Sequence, residues 1–522
     1  MASRVGKLPQ VVTFVLRIIL RRQKTVLGTF GICLLGVLAF LWRQLEKSRR
    51  RLPPGPWGLP VVGILPHLIA VDNPGRKIKN MSQIYGPILY TKIGSYWAVF
   101  LNDSELIEES ICQREKLFHM EEGYRHIFED LTFSFDLPKC GLSAKNQSER
   151  RLVYKVLHNL ASENTIQDIE NKINRWCIEM INKIEIHAEN ETPVNPLTML
   201  MGSIPNLYLS IIFNTNFDRE DVDYKLFLKH FCHFDGSNSR NCVTHQANLL
   251  LPFVNNMPGN GSKYWKDLVA CMENKLNMER DEISNAVEDF LTGIEKEDRN
   301  SLDSRFTMNL LFVFALTYIG EGSLSIAVSL CWLLLYMVKY PHIQNNVQSE
   351  LDGIINRGRS PHFADFSELP YLAAVIQESL RHSPSAYMSL QYQTEAEVPL
   401  RGYSVPQGTY VFHNLWSILH DSKQYPLPHK FNPDRFLRDH RRLFVKDDRI
   451  RFLQFGSNAT KVPSVTENMR TLLFSNILHC FSLTSDIRTD DISLDGENGL
   501  IRYPQDYRII FCKRDVLQNY QQ

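Results

Sequence analysis

Glu378-Ser379-Leu380-Arg381 lies in a helix-forming run, and Phe431-Asn432-Pro433-Asp434-Arg435-Phe436 follows it. Residues three apart on a helix share one face, so Glu378 and Arg381 can bond each other. Alone, such a pair is common on solvated helices. Here it sits in an ordered series. Between the two stretches come Leu400-Arg401-Gly402-Tyr403-Ser404-Val405-Pro406-Gln407-Gly408-Thr409, then Asn414-Leu415-Trp416 and His420-Asp421. The Gly and Pro residues around Val398–Ser404 and Thr409–Phe412 predict short strands joined by turns.

Upstream, Thr307–Val338 holds one charge, Glu321, and is the most apolar part of the body. Its polar interruptions (Thr317, Gly320, Gly322, Ser323 and Ser325) favour a buried central helix over a second membrane span. Ser162–Asn182 and Glu282–Glu295 mix apolar and charged residues at helical spacing. Ile88–Ile93 and Ala98–Leu101 read as strands, and Met469–Leu483 as a helix. The body therefore reads as an α-rich α+β fold, with small sheets beside a helical core.

The 522 residues are 44% hydrophobic and 22% charged, which excludes a disordered or collagen-like chain. The net charge of +1 hides an asymmetry. Residues 1–51 hold eleven basic residues against the single acid Glu46, a local charge of +10, and the remainder carries −9. A basic terminus on a mildly acidic body predicts contact with a membrane surface, not with nucleic acid. Val26–Trp42 is an uncharged run at the short limit for a spanning helix. Four segments follow: a basic tail over 1–25, an anchor over 26–42, a basic and proline-rich hinge over 43–60, and one domain over 61–522. No small-residue cleavage site follows the apolar run, so the anchor is read as retained. The alternative is a mitochondrial presequence over residues 1–24, which are basic and free of acids. The ten cysteines form no CxxC pair and read as free thiols.

As an ordered set, anchor, proline-rich hinge, long central helix, Glu-x-x-Arg helix, hairpin and Pro-x-Arg-Phe segment resemble the cytochrome P450 superfamily. The closest type is the microsomal, membrane-anchored one. The resemblance implies a buried cluster of Glu378, Arg381 and Arg435 near a heme. It also implies a lipophilic substrate pocket near residues 120–135 and the central helix, and a reductase-type electron donor facing Arg150, Arg151 and Lys155. The expected location is the endoplasmic reticulum membrane, single-pass, with the body in the cytosol.

The chemistry departs from this pattern. The family holds heme iron by a cysteine thiolate in a Phe-Gly-x-Gly-x-Arg-x-Cys-x-Gly loop, and the thiolate's electron push favours O–O cleavage. Phe455 and Gly456 fit that loop. Asn458 stands for a glycine, Thr460 for the arginine, Val462 for the cysteine and Ser464 for the last glycine. No cysteine lies between residues 332 and 479. The propionate-binding Trp-x-x-x-Arg aligns with Asn146 and Arg150, and the propionate histidine with Tyr392. In the central helix the relay acid and threonine fall on Leu324 and Ser325, which leaves Ser325 and the displaced Glu321 as candidate catalytic residues. The plainer role for Glu321 is a helix carboxylate bonded to a nearby serine. His440 and His479 are the nearest histidines to the loop and read as ordinary loop and helix residues. The sequence thus points to a degenerate family member that binds a lipophilic ligand or protein partner. The alternative is an active heme-dependent monooxygenase using O2 and reductase-supplied electrons. A heme-independent hydrolase or isomerase finds no triad or carboxylate pair to support it.

Overall fold

The computed structural model describes residues 52–59, 62–69, 73–112 except 95, 118–119, 163–213, 222, 224, 225 and 228. It further describes 304–514 except 356–358, 386, 389–391, 395, 440–442, 448–449, 451–464 and 497–501. The anchor over 26–42, the helix expected over Glu282–Glu295, and the site positions Arg150, Phe455, Gly456, Thr460 and Val462 lie outside the described residues.

In chain order, α1 (Leu65–Ile69) and α2 (Pro74–Tyr85) lead into β1 (Ile88–Ile93) and β2 (Tyr96–Leu101). Then come α3 (Ser104–Cys112), β3 (Phe118–His119), α4 (Glu163–Glu189), α5 (Pro196–Met201) and α6 (Ile204–Phe213). The central α7 (Ser304–Lys339) is followed by α8 (Pro341–Ile354), α9 (Pro370–His382), and the strands β4 (Tyr392–Thr394), β5 (Val398–Leu400), β6 (Tyr403–Val405) and β7 (Tyr410–His413). Last come α10 (Leu415–Leu419), β8 (Leu437–Arg438), β9 (Leu443–Phe444), α11 (Val465–Cys480), β10 (Phe481–Thr484) and β11 (Ile510–Lys513). This is the helix-rich α+β architecture expected. The main sheet runs β1-β2-β7-β4-β3. β2 and β7 pair in parallel, Ala98 opposite Tyr410 and Leu101 opposite His413.

The Ile326–Val338 part of α7 is apolar all round because it is enclosed by protein, each residue there being at most 4% exposed. Its neighbours α4, α6, α9 and α11 contribute to the same core. A helix with no solvated face cannot show amphipathic periodicity.

The Val398–Ser404 stretch is a hairpin. Arg401 (φ 44°) and Gly402 (φ 83°) form its two-residue turn, the doubly left-handed geometry that suits right-twisted strands. The helix expected over Met469–Leu483 begins and ends earlier, at Val465 and Cys480. Phe481–Leu483 instead enters β10, where Ser482 lies opposite Cys512 of β11. Strand pairing with a partner thirty residues away overrides the apolar continuity of that run.

The proline-rich hinge is docked at its end. Pro54 O accepts from Tyr90 N at 2.9 Å, and Pro56 O accepts from Thr91 Oγ1 at 3.0 Å. Prolines lack an N–H but keep a carbonyl, and it is the carbonyls of Pro54 and Pro56 that receive the bonds from β1. Gly55 allows the approach: a Cβ there would lie 2.0 Å from Tyr90 O.

Candidate functional site

Glu378 and Arg381 pair as their spacing predicts, and Arg435 joins them as the resemblance implies. α9 starts at Pro370, and the Glu350 carboxylate of α8 accepts the free N–H groups of Tyr371 and Leu372 at 2.7 and 2.8 Å. Burial pushes the Glu350 carboxyl up, and these two bonds oppose the rise. At the end of α9, Arg381 Nε and Nη2 donate to Glu378 Oε2 and Oε1, one turn earlier, at 2.7 and 2.9 Å. Arg435 Nε donates to the same carboxylate at 3.1 Å, and so does Asn432 N at 2.9 Å. The arginines spend their remaining donors on backbone carbonyls. Arg381 reaches Leu419 and Pro428, and Arg435 reaches Pro426 and Lys430. Glu378 and Arg381 are fully buried. The cluster therefore clamps the whole 419–435 connection to α9.

Beside it lies a polar group that sequence reading did not single out. Tyr336 of α7 bonds His382 Nδ1 at 2.6 Å and also meets Ser383 Oγ. The other ring nitrogen of His382 bonds His429 O at 3.0 Å. His420 stacks on Trp416 at 3.5 Å, and its Nδ1 reaches Trp416 O at 3.2 Å. Its Nε2 is buried with no partner among the described residues. Arg502 lies over the Trp332 and Trp416 rings at 4.5 and 5.1 Å and donates to the carbonyls of His382 and Leu494. Burial, reinforced by Arg381 and Arg502, holds His382 down at about 3 and His420 well below the usual imidazole range. The only sequence trace of this group is the histidine of His420-Asp421. Arg502 comes from a distant segment with no motif.

The proposed relay positions sit in α7. Ser325 is half-buried, just before the fully enclosed Ile326–Val338 stretch. Glu321 lies in the same helix; its side chain is outside the described residues. Gly322 stands one turn before Ser325 and receives Tyr208 of α6: a Cβ at Gly322 would lie 2.6 Å from the tyrosine ring. That glycine opens α7 to a neighbouring helix. Ser323 is fully buried, and its Oγ has no partner among the described residues. Tyr392 lies in β4.

No cysteine occurs from 332 to 479. Cys480 and Cys331 are buried in the core. His479 lies fourteen residues into α11 after Val465, about 21 Å along the axis at 1.5 Å per residue. Among the described residues no group of three His, Cys, Asp or Glu could hold a metal ion.

The family described as Cytochrome P450 matches residues 53–458. Among curated proteins, Cytochrome P450 2C3 of Oryctolagus cuniculus is 29% identical over 492 residues, 92% of this chain and 98% of the relative. Cytochrome P450 2C21 of Canis lupus familiaris is 28% identical, over 92% of this chain and 98% of its own. Cytochrome P450 2C70 of Rattus norvegicus is 28% identical, over 93% and 98%.

Proposed function

The chain belongs to the cytochrome P450 family, and on that premise we propose that it is a membrane-anchored member without heme-thiolate catalysis. Its retained scaffold binds a lipophilic small molecule or a protein partner. The observation that carries this reading is the valine at 462, in a stretch of chain with no cysteine on either side. A valine side chain has no lone pair to give to iron. Without a thiolate the electronic push that cleaves the O–O bond is absent, so no step is derived through heme.

The test is an absorbance spectrum of the full-length protein made with hemin supplied, with Val462→Cys in parallel. The unmodified protein is expected to show no thiolate-type carbon monoxide difference band. Such a band would overturn the reading. The intact Glu378-Arg381-Arg435 cluster and the long family match favour a second reading, an active monooxygenase using O2 and electrons from a reductase. That reading requires a cysteine in the loop, so the transcript across codons 455–470 decides it. A missing in-frame segment carrying a cysteine would establish the second reading and end the first.

We place the body on the cytosolic side of the endoplasmic reticulum membrane. Six Asn-x-Ser/Thr sequons make this checkable. Asn80 and Asn190 are exposed, whereas Asn102 is buried and donates to Pro87 O and Phe100 O. The full chain in microsomes is expected to keep its gel mobility on endoglycosidase treatment. A mobility shift abolished by Asn80→Gln and Asn190→Gln together would place the body in the lumen.

A further inference from the structure

We propose that Ser360, in the connection between α8 and the 3-10 turn Phe363–Glu368, is a phosphorylation site for a proline-directed serine kinase, and that the phosphate draws Arg359 away from Asp365 and loosens that turn. The inference uses the cytosolic placement of the body, and it does not depend on whether heme is bound.

The chain has three Ser/Thr-Pro dipeptides: Thr192-Pro193, Ser360-Pro361 and Ser383-Pro384. The structure separates them. Ser383 is 2% exposed, and its hydroxyl meets Tyr336 OH. Thr192 is exposed, but its Oγ1 lies 2.9 Å from His187 Nδ1 and 3.3 Å from His187 O, which ties it to the end of α4. Ser360 is partly exposed, and among the described residues its Oγ makes no hydrogen bond. Its hydroxyl alone of the three is free to react.

The backbone agrees with this choice. Ser360–His362 lie in neither helix nor strand. A proline holds the residue before it out of the helical region, in extended backbone. Ile355 (φ −101°, ψ 116°) and His362 (φ −122°, ψ 162°) are extended as well. An extended surface connection can enter an enzyme's cleft without unmaking a helix or a sheet.

The neighbouring charges set what a phosphate does here. Arg359 Nη1 and Nη2 form a fork to Asp365 Oδ2 and Oδ1, both at 2.7 Å, and Nη1 also reaches Ser360 O at 3.2 Å. Asp365 Oδ2 accepts from His362 N at 2.8 Å, and Asp365 N donates to the His362 side chain, which caps the turn. The next residue, Phe363, donates its N–H to Glu170 Oε1 of α4 at 3.1 Å. Arg359 thus stands between Ser360 and the carboxylate that caps the turn.

Transfer from a nucleoside triphosphate forms a bond from Ser360 Oγ to the γ-phosphorus and breaks the bond from that phosphorus to its bridging oxygen. The diphosphate leaves, and the kinase's base takes the serine proton. The product adds about −1.5 to −2 charge and three acceptor oxygens one residue from Arg359. Against a single carboxylate charge, it takes the guanidinium fork. Asp365, whose side chain is 13% exposed, is then left beside a second anion without its cation. The cap on Phe363–Glu368 weakens, and with it the tie to α4.

The test is to incubate the purified full-length protein in detergent with magnesium, ATP and a proline-directed serine kinase, and to map phosphate by mass spectrometry. It is independent of membrane orientation, which the sequons read separately. Phosphate is expected on Ser360 and on neither Thr192 nor Ser383. Ser360→Ala, which removes no hydrogen bond, and Pro361→Ala should each abolish it. Hydrogen exchange of the 363–368 amides should speed up at least about tenfold in the phosphorylated protein. Arg359→Gln, unphosphorylated, should give the same acceleration, because it takes the same cation from Asp365. No phosphate on Ser360 while the kinase modifies a reference Ser-Pro peptide would overturn the proposal. So would phosphate on Thr192 or Ser383 in preference, or phosphorylated Ser360 with unchanged exchange.

Discussion

Glu378→Gln will destabilise the fold by about 3–5 kcal/mol, a large share of the stability a native domain has. The replacement keeps the shape of the side chain and removes only its charge. It leaves Arg381, fully buried, and Arg435, 10% exposed, as two cations around a neutral amide. The loss also spreads along the chain. The arginines hold the carbonyls of Leu419, Pro426, Pro428 and Lys430, and Glu378 itself accepts from Asn432 N. Unfolding midpoints in urea are the measurement. Arg435→Lys is the control: it keeps the charge at the more exposed corner and is expected to cost distinctly less, because the guanidinium's bonds to Glu378, Pro426 and Lys430 are lost but no buried cation is left unpaired. Equal costs for the two variants would mean that the clamp resides in the backbone bonds and not in the buried charge.

Lowering the pH from 7.5 to 5.5 will remove about 3 kcal/mol of stability through His382 and His420 alone. The sign follows from where the protons bind. In the unfolded chain each imidazole titrates near 6.5; in the folded protein His382 is held at about 3 and His420 well below 6.5. Below 6.5 the unfolded state therefore takes up protons that the folded state refuses. Stability is level above that pH and falls as pH drops through it, by about 1.4 kcal/mol per unit for each histidine. Burial is the main cause of the refusal, and Arg381 and Arg502 add permanent positive charge; the other neighbours include indole, phenol, phenyl, the His429 imidazole and backbone carbonyl. His382→Phe should lower stability at every pH, since it forfeits the bonds to Tyr336 and His429 O, but it should halve the slope. Urea midpoints at pH 7.5, 6.5 and 5.5 decide this, and an unchanged slope would refute it.

The two clusters differ in how they could be read. Glu378 and Arg381 are one helical turn apart, so their contact is local geometry, and Arg435 belongs to a nearby segment with its own Pro-x-Arg-Phe pattern. The histidine group draws on α7, α9, α10, the 425–431 connection and Arg502. Burial that comes from five separate segments leaves no periodic trace. Arg470 of α11, 1% exposed, is similar: in the sequence it is one basic residue on an apolar helix, and snorkelling to solvent is the ordinary expectation.

The sequence by itself determined the family-level architecture, the contact of Glu378 with Arg381 one helical turn away, and the lack of any cysteine between residues 332 and 479. These depend on residue identity and short spacings, which a chain displays directly. Only the tertiary structure decided that Gly322 admits Tyr208, that the end of the proline-rich hinge is bonded to β1, and that Phe481–Thr484 leaves the helix to pair with Ile510–Lys513. It also decided which charged side chains find partners in the core. Those outcomes turn on contacts between residues far apart in sequence, where packing and desolvation outweigh local preference.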